Sequence, residues 1–240
     1  MTLTLADPHC HTFASDGMVG PADLVEGALA AGLGLIAVCD HDTMGAAQEV
    51  AGRGEERGLA VVKGMEITTR WPAQTHVLGW FLERPVRSGR GLLDTVRAIH
   101  EQDGLAVIPH PFMPTYFASC QPRMLSALIE EEPIDGIETE FAAPTSGRRK
   151  RALEDFYAAH SDRLGARVGA SDSHFGAYDL GRIVTAFEGR SAADFRRELL
   201  ARRTEPRRRP GRSVPARLLA AQQFRGLVGL PLRRLRGQLQ

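Results

Sequence analysis

Cysteine and aromatic residues are scarce in this chain of 240 residues, which holds three Cys, two Trp, three Tyr and ten Phe. Cys10, Cys39 and Cys120 are odd in number and lack zinc-finger spacing, which argues against a disulfide framework and suits a reducing compartment. No apolar run approaches the roughly 20 residues of a membrane span. The N-terminus shows no basic region followed by an apolar stretch, so no signal peptide is expected and the cytoplasm is the expected location. An excess of one charge is also missing, because the net charge is only +1. That balance hides an asymmetry. From residue 201 onward eleven Arg face one acidic residue, Glu205, so this tail carries +10 and residues 1–200 carry −9.

What is present is a rhythm of short apolar runs and helix-length amphipathic stretches. Strands are expected at Leu3–Pro8, Leu35–Cys39, Ala60–Lys63, Thr75–Leu82, Ala106–Ile108, Gly136–Thr139 and Ala166–Ala170. Helices are expected at Pro21–Ala31, Met44–Arg57, Leu92–Asp103, Arg123–Glu131, Gly147–Leu164 and Ser191–Arg202. Residues 66–82 break the alternation and read as two strands joined through Trp71-Pro72-Ala73-Gln74. Strand–helix alternation argues for a parallel α/β fold.

Six of the eight histidines fall in acidic-histidine clusters placed where predicted strands end. His9 and His11 close the first strand and, two apart, project to one face. Asp7 on that face suits an acceptor that orients an imidazole, or a turn former. Asp16 follows within a loop's reach. Asp40-His41-Asp42 ends the second run, where Asp42 or Thr43 suits a helix cap while His41 faces a metal. Glu66 ends the third, placed to bridge two ions with one oxygen each. His76 lies inside a strand pattern, where a packed core histidine competes with a ligand. His110 sits between two prolines, which predicts an extended backbone. Asp172 and His174 repeat the two-residue spacing after the seventh run. His100 and His160 lie in predicted helices and read as surface or packing residues. Imidazole with carboxylate is the donor set of Zn²⁺, Mn²⁺ and Fe²⁺, and this number of donors exceeds what one ion uses. A barrel that gathers its site at strand carboxyl ends unites the clusters at one rim, whereas an open doubly wound sheet offers one switch point. The expected class is therefore a metal-dependent hydrolase.

The motifs Asp7-Pro8-His9-Cys10-His11, Ser15-Asp16-Gly17, Cys39-Asp40-His41-Asp42, Gly64-Met65-Glu66, Ile108-Pro109-His110-Pro111 and Gly169-Ala170-Ser171-Asp172-Ser173-His174 resemble those of the PHP (polymerase and histidinol phosphatase) superfamily. The resemblance implies an α/β fold, a distorted (β/α)₇ TIM-like barrel of parallel strands with its metal site at the C-terminal rim. It also implies phosphoester hydrolysis with three divalent ions (Mn²⁺, Fe²⁺ or Zn²⁺). Carried over by position, His9, His11, Glu66 and Asp172 hold one ion, Glu66, His76 and His110 a second, and Asp16, His41 and His174 a third. The chain is similar above all to small bacterial members, which include nucleotide phosphatases and an exoribonuclease group. Glu138 and Glu140 stand where relatives often end a motif with Asn; they either disfavour a highly anionic substrate or one of them points into the core.

On this reading a hydroxide bridging two ions attacks phosphorus, with Glu66 at the bridge and Asp172 or His174 assisting proton transfer. Arg182 is the expected phosphate clamp, competing with a surface ion-pair role, and Arg149 (with Arg148) is a weaker choice. Tyr116 and Phe117 either flank the substrate or pack on the rim. The expected partner is a small phosphorylated, nucleotide-like substrate. Residues 1–200 form the expected barrel domain and 201–240 an Arg-rich linker with an amphipathic segment carrying Leu218, Leu219, Leu227, Val228, Leu232 and Leu235. That tail packs on the acidic body, binds a nucleic-acid backbone or lies on an anionic membrane, the first being favoured. An amidohydrolase-like C–N hydrolase, which would need a metal-bridging Lys, and a non-catalytic metal-binding scaffold are the alternatives. Oligomeric state is not legible.

Overall fold

A computed structural model describes residues 2–115, 117–143, 145–211 and 213–229. Tyr116, Leu232 and Leu235 lie outside the described residues. Among the described residues nine strands form one sheet: β1 (Leu3–Cys10), β2 (Leu35–Val38), β3 (Ala60–Thr68), β4 (His76–Trp80), β5 (Leu105–Ile108), β6 (Gly136–Phe141), β7 (Ala166–Ala170), β8 (Ile183–Glu188) and β9 (Glu205–Arg208). Their order is β7-β6-β5-β4-β3-β2-β1-β8-β9. β1, β2 and β3 are parallel neighbours, as are β5, β6 and β7, while β4 and β8 run antiparallel to the strands beside them.

The sheet curls until its two halves nearly meet. Ser173 N–H donates to His9 O at 2.9 Å and His11 N–H to Ser173 O at 2.8 Å, stitching the rim of β1 to the end of β7. Farther down, Gly169 N–H donates to Thr185 Oγ1 at 2.9 Å, and that hydroxyl donates back to Gly169 O at 2.8 Å. The expected TIM-like α/β barrel is therefore present, with two more strands than the seven anticipated. β8 escapes the sequence pattern because it returns antiparallel, with only a short 3₁₀ turn at Gly176–Tyr178 and no α-helix between it and β7. β9 lies in the stretch read as the start of an Arg-rich linker; it pairs with β8 at the sheet edge, where Pro206 removes no needed donor.

The described residues also form seven α-helices: α1 (Pro21–Ala30), α2 (Ala47–Arg57), α3 (Leu92–His100), α4 (Pro122–Glu131), α5 (Gly147–Leu164), α6 (Ala192–Leu200) and α7 (Ala216–Phe224). Strand β2 shows why they cover the sheet. Leu35, Ala37 and Cys39 pack inside the barrel with Trp80, Phe187 and Phe195, whereas Ile36 and Val38 pack outward against Leu24, Val25 and Val50 of α1 and α2. A strand apolar on both faces needs cover on both. Asp42 and Thr43 do not cap α2, which begins at Ala47 behind Ala46. Asp42 instead turns the chain at φ 55° and accepts the Thr68 N–H at 2.7 Å. No helix among the described residues is long and apolar enough to cross a membrane.

Candidate metal centre

Barrel closure brings the strand ends to one rim, and backbone contacts there set the loops. Asp40 accepts from Thr12 N and Thr12 Oγ1 at 2.7 Å and from Ser15 Oγ at 2.6 Å, folding the loop after β1 so that Asp16 returns over the rim. Asp179 does the same after β7, accepting from His174 N at 2.8 Å and Ser173 Oγ at 2.7 Å. Two donors sit on left-handed backbone, His110 at φ 30° and Asp172 at φ 53°. His110 is thus not extended as its flanking prolines suggest. Its N–H is drawn to Glu138 Oε2 at 2.7 Å and its carbonyl accepts Ser119 Oγ at 2.9 Å, and these contacts turn the chain.

Nine side chains converge here. Three overlapping groups have donor atoms within 4.8 Å of one another: His9, His11, Glu66 and Asp172; His11, Asp16, His41 and His174; and His41, Glu66 and His76. Glu66 lies at their centre. Its Oε2 faces His9 Nε2 at 3.2 Å, His11 Nε2 at 3.3 Å and His41 Nδ1 at 3.3 Å. Its Oε1 faces His76 Nδ1 at 2.6 Å and His110 Nε2 at 3.2 Å. Asp16 Oδ1 faces His174 Nε2 at 3.2 Å and His41 Nε2 at 3.7 Å. The second set expected from the sequence gains His41 beside Glu66 and His76, with His110 approaching the same Glu66 oxygen.

The donor set fits divalent ions on an observation independent of any relative. His11 Nε2, Asp16 Oδ1, His76 Nδ1, His110 Nδ1 and Asp172 Oδ1 are buried and make no hydrogen bond. His11 Nε2 and Asp172 Oδ1 are only 3.1 Å apart yet not aligned for one, as expected of lone pairs aimed at a shared cation. The electrostatics agree. Burial opposes the charged form of Glu66, yet His76, His41 and His9 hold its carboxyl well below the usual range. Asp172 is likewise held low, against its burial, by His9 and His174. Burial pulls His41 down to about 3, so it presents a neutral, ligand-ready imidazole.

The imidazole-orienting acceptor is Glu138, not Asp7. Glu138 Oε1 lies 2.8 Å from His9 Nδ1, and its fully buried carboxylate spans His9 and the His110 amide. A charged residue inside the buried run Gly136-Ile137-Glu138 was the available signal. Asp7 accepts the Ser171 and Gly181 amides at 3.0 and 2.7 Å, and burial pushes its carboxyl up to about 7. Glu140 pairs with Lys150 and Arg208 away from the donors. Among the described residues neither expected clamp makes a hydrogen bond or ion pair to a member of the groups. Arg149 donates to the carbonyls of Phe112 and Met113 at 2.9 and 3.2 Å, bracing the loop after His110. Arg182 lines a separate groove with Tyr178, Arg209 and Gly211 at the end of α1. The chain's two lysines, Lys63 and Lys150, pair with Glu83 and Glu140. The described part of the tail packs on the rim, where Gln222 Nε2 donates to Asp16 Oδ2 at 2.8 Å and Arg225 Nε to Ser15 O at 2.8 Å.

The model of the PHP domain matches residues 7–202. The chain belongs to the PHP domain family. It is 26% identical over 199 residues to a 3′,5′-nucleoside bisphosphate phosphatase of Chromobacterium violaceum, covering 74% of this chain and 69% of the relative. It is 33% identical over 102 residues to a 5′-3′ exoribonuclease of Haemophilus influenzae, a match spanning 42% of this chain but only 37% of that protein. A crystal structure from Bacteroides vulgatus, a two-domain protein containing a predicted PHP-like metal-dependent phosphoesterase, superposes with a TM-score of 0.71 at 24% identity, covering 93% of this chain and 70% of its own. The PHP match ends before β9 and the tail.

Proposed function

We propose that this PHP domain is a metal-dependent phosphoric ester hydrolase acting on a small or nucleotide-like phosphomonoester or phosphodiester. The observation that carries the reading is the overlap of three donor groups, two of them sharing Glu66, with unpaired, buried donor atoms at one rim. His9, His11, Glu66 and Asp172 would hold one divalent ion, Glu66, His76 and His110 (with His41 in reach) a second, and Asp16, His41 and His174 a third. Mn²⁺, Fe²⁺ and Zn²⁺ all suit this mixture of imidazole and carboxylate. When bound, such ions lower the pKa of water and polarise phosphate oxygens.

The chain's own residues then do the rest. Glu66 splits its two oxygens between neighbouring positions and fixes their spacing. Glu138 holds His9 in one tautomer and His110 in one orientation. Asp172, with a quarter of its side chain exposed, is the site carboxylate most open to solvent, and it lies with His174 where proton transfer would be assisted. Asp172 and Asp16 push the His174 imidazole up to about 10 against its burial, so an ion bound there would have to displace its proton. Residues 1–200 supply this chemistry, and the described residues of 201–240 add an edge strand and a segment that packs on the rim. Three buried, free cysteines suit the reducing cytoplasm.

The test is phosphate release from nucleoside mono- and bisphosphates, sugar phosphates and short oligonucleotides after chelation and re-addition of Mn²⁺. Metal-restored hydrolysis of at least one ester is expected, with loss in Glu66→Ala. Intact metal binding without hydrolysis of any ester would instead indicate a scaffold.

A further inference from the structure

Trp71 and Phe117 are large aromatic residues left in water, 68% and 52% exposed, yet their rings stack on each other at 5.9 Å. The chain's other tryptophan, Trp80, is fully buried. The pair joins the two rim loops that present His76 and His110. Trp71 lies in the turn closed by Thr69 N–H donating to Thr75 O at 3.0 Å, and His76 follows directly. Phe117 precedes Ala118, whose carbonyl accepts the His76 N–H at 3.0 Å. Single exposed apolar residues are ordinary, but an ordered pair of aromatic faces at the mouth of a polar site is a stacking surface.

A cleft of about 650 Å³ adjoins the pair, lined by Arg70, Arg87, Arg90 and Arg97 with Asp94 and Glu101. Arg70 precedes Trp71 in the chain, and its N–H donates to Arg90 O at 2.7 Å, so hairpin and cleft are one unit. Arg97 is engaged by Glu132 at 3.3 Å. Arg70, Arg87 and Arg90 make no ion pair among the described residues. Three guanidiniums without an ion pair, in a cleft that begins at the residue before Trp71 and in which arginines outnumber the two acids, suit the phosphates of a strand whose bases stack on the aromatic pair.

We infer that Trp71, Phe117 and the Arg70–Arg87–Arg90 cleft form a binding track for single-stranded nucleic acid leading into the metal centre. One base stacks on the Trp71–Phe117 pair while phosphates farther along the same strand lie against the arginines. A lone nucleotide fills only the first part of such a track, and a duplex keeps its bases from the rings. The inference rests on the phosphoesterase reading for what happens to the strand at the ions, but binding is measurable without turnover.

The experiment titrates the metal-loaded protein with a phosphorothioate-linked thymidine decamer, following tryptophan emission and the anisotropy of a labelled strand. Trp71 is the exposed indole, so stacking should quench emission saturably. Trp71→Leu and Phe117→Ala should each raise Kd about five- to a hundredfold, while Trp71→Phe keeps the affinity. Arg70→Gln and Arg90→Gln should each flatten the salt dependence of log Kd by about 0.7. Equal binding of an abasic chain or of duplex, or unchanged affinity in Trp71→Leu, would overturn the track. A wild-type protein that binds and quenches but hydrolyses no phosphoester leaves the track standing and removes the phosphoesterase reading. Hydrolysis without quenching does the opposite.

Discussion

Glu66 and Glu138 show how much chemistry a buried carboxylate does when its partners are chosen for it. Glu66 meets five imidazoles, and Glu138 holds one of them, His9, from behind. Glu138→Gln keeps the volume but turns a donor amide toward either His9 or the His110 N–H. A lost second contact of this kind typically costs 10–100-fold in metal affinity. A fall of about that size is expected for Mn²⁺ in competition with a fluorescent chelator, and unchanged affinity would remove Glu138 from the account. His100 supplies a separate test away from the rim. Its hydrogen bond to Asp135, with Glu132 on the other nitrogen, raises its pKa above 6.5. A raised folded-state pKa contributes stability that is complete below the unfolded value and fades as pH rises through the folded one. The Tm advantage of wild type over His100→Gln should therefore be larger at about pH 5.5 than at about pH 8.5. At this scale the donor residues were legible, because charged and imidazole groups ending apolar strands have few structural uses. Their supports were not. Whether Asp7 or Glu138 backs His9 depends on which amides the closed barrel leaves beside Asp7, and no local pattern carries that.

Secondary elements divide along the same line. Helix α5 and strand β7 have the bounds their patterns predict, because both sit between clear breakers. Strand β3 runs five residues past its expected end at Lys63, since β4 folds back and pairs Gly64 through Thr68. Strands β8 and β9 were illegible for a different reason, as their pairing is made only when the sheet curls. The tail's α7 shows what packing adds. Favoured as packing on the body, it reaches the loop before Asp16, and Gln222 takes the Asp16 oxygen that does not face His41 and His174. Gln222→Ala frees that carboxylate to rotate. Metal content at sub-saturating Mn²⁺ should fall toward one ion fewer per chain, with affinity at that position down by about tenfold. Full occupancy in the variant would show that α7 merely rests on the rim.

At the scale of the whole molecule, the barrel was legible because the clusters recur at strand ends and only a closed sheet gathers such ends. The price of that gathering is a rim of buried donor atoms, several of which folding alone leaves without a hydrogen bond. Ions that bind the folded state alone should relieve it. At about 100-fold excess over Kd, one ion contributes about 2.7 kcal/mol. For a chain of this size that is roughly 5–10 °C in Tm. Chelation should lower Tm by at least that much and Mn²⁺ should restore it, as followed by calorimetry, whereas an indifferent Tm would separate metal binding from the folded rim. The most direct test is anomalous diffraction from crystals of the Mn²⁺-loaded protein, recorded above and below the manganese edge. The account predicts three peaks, two of them sharing Glu66 and one enclosed by Asp16, His41 and His174. A rim without anomalous density in crystals bathed in Mn²⁺, or a lone peak that leaves Glu66 uncoordinated, would contradict it.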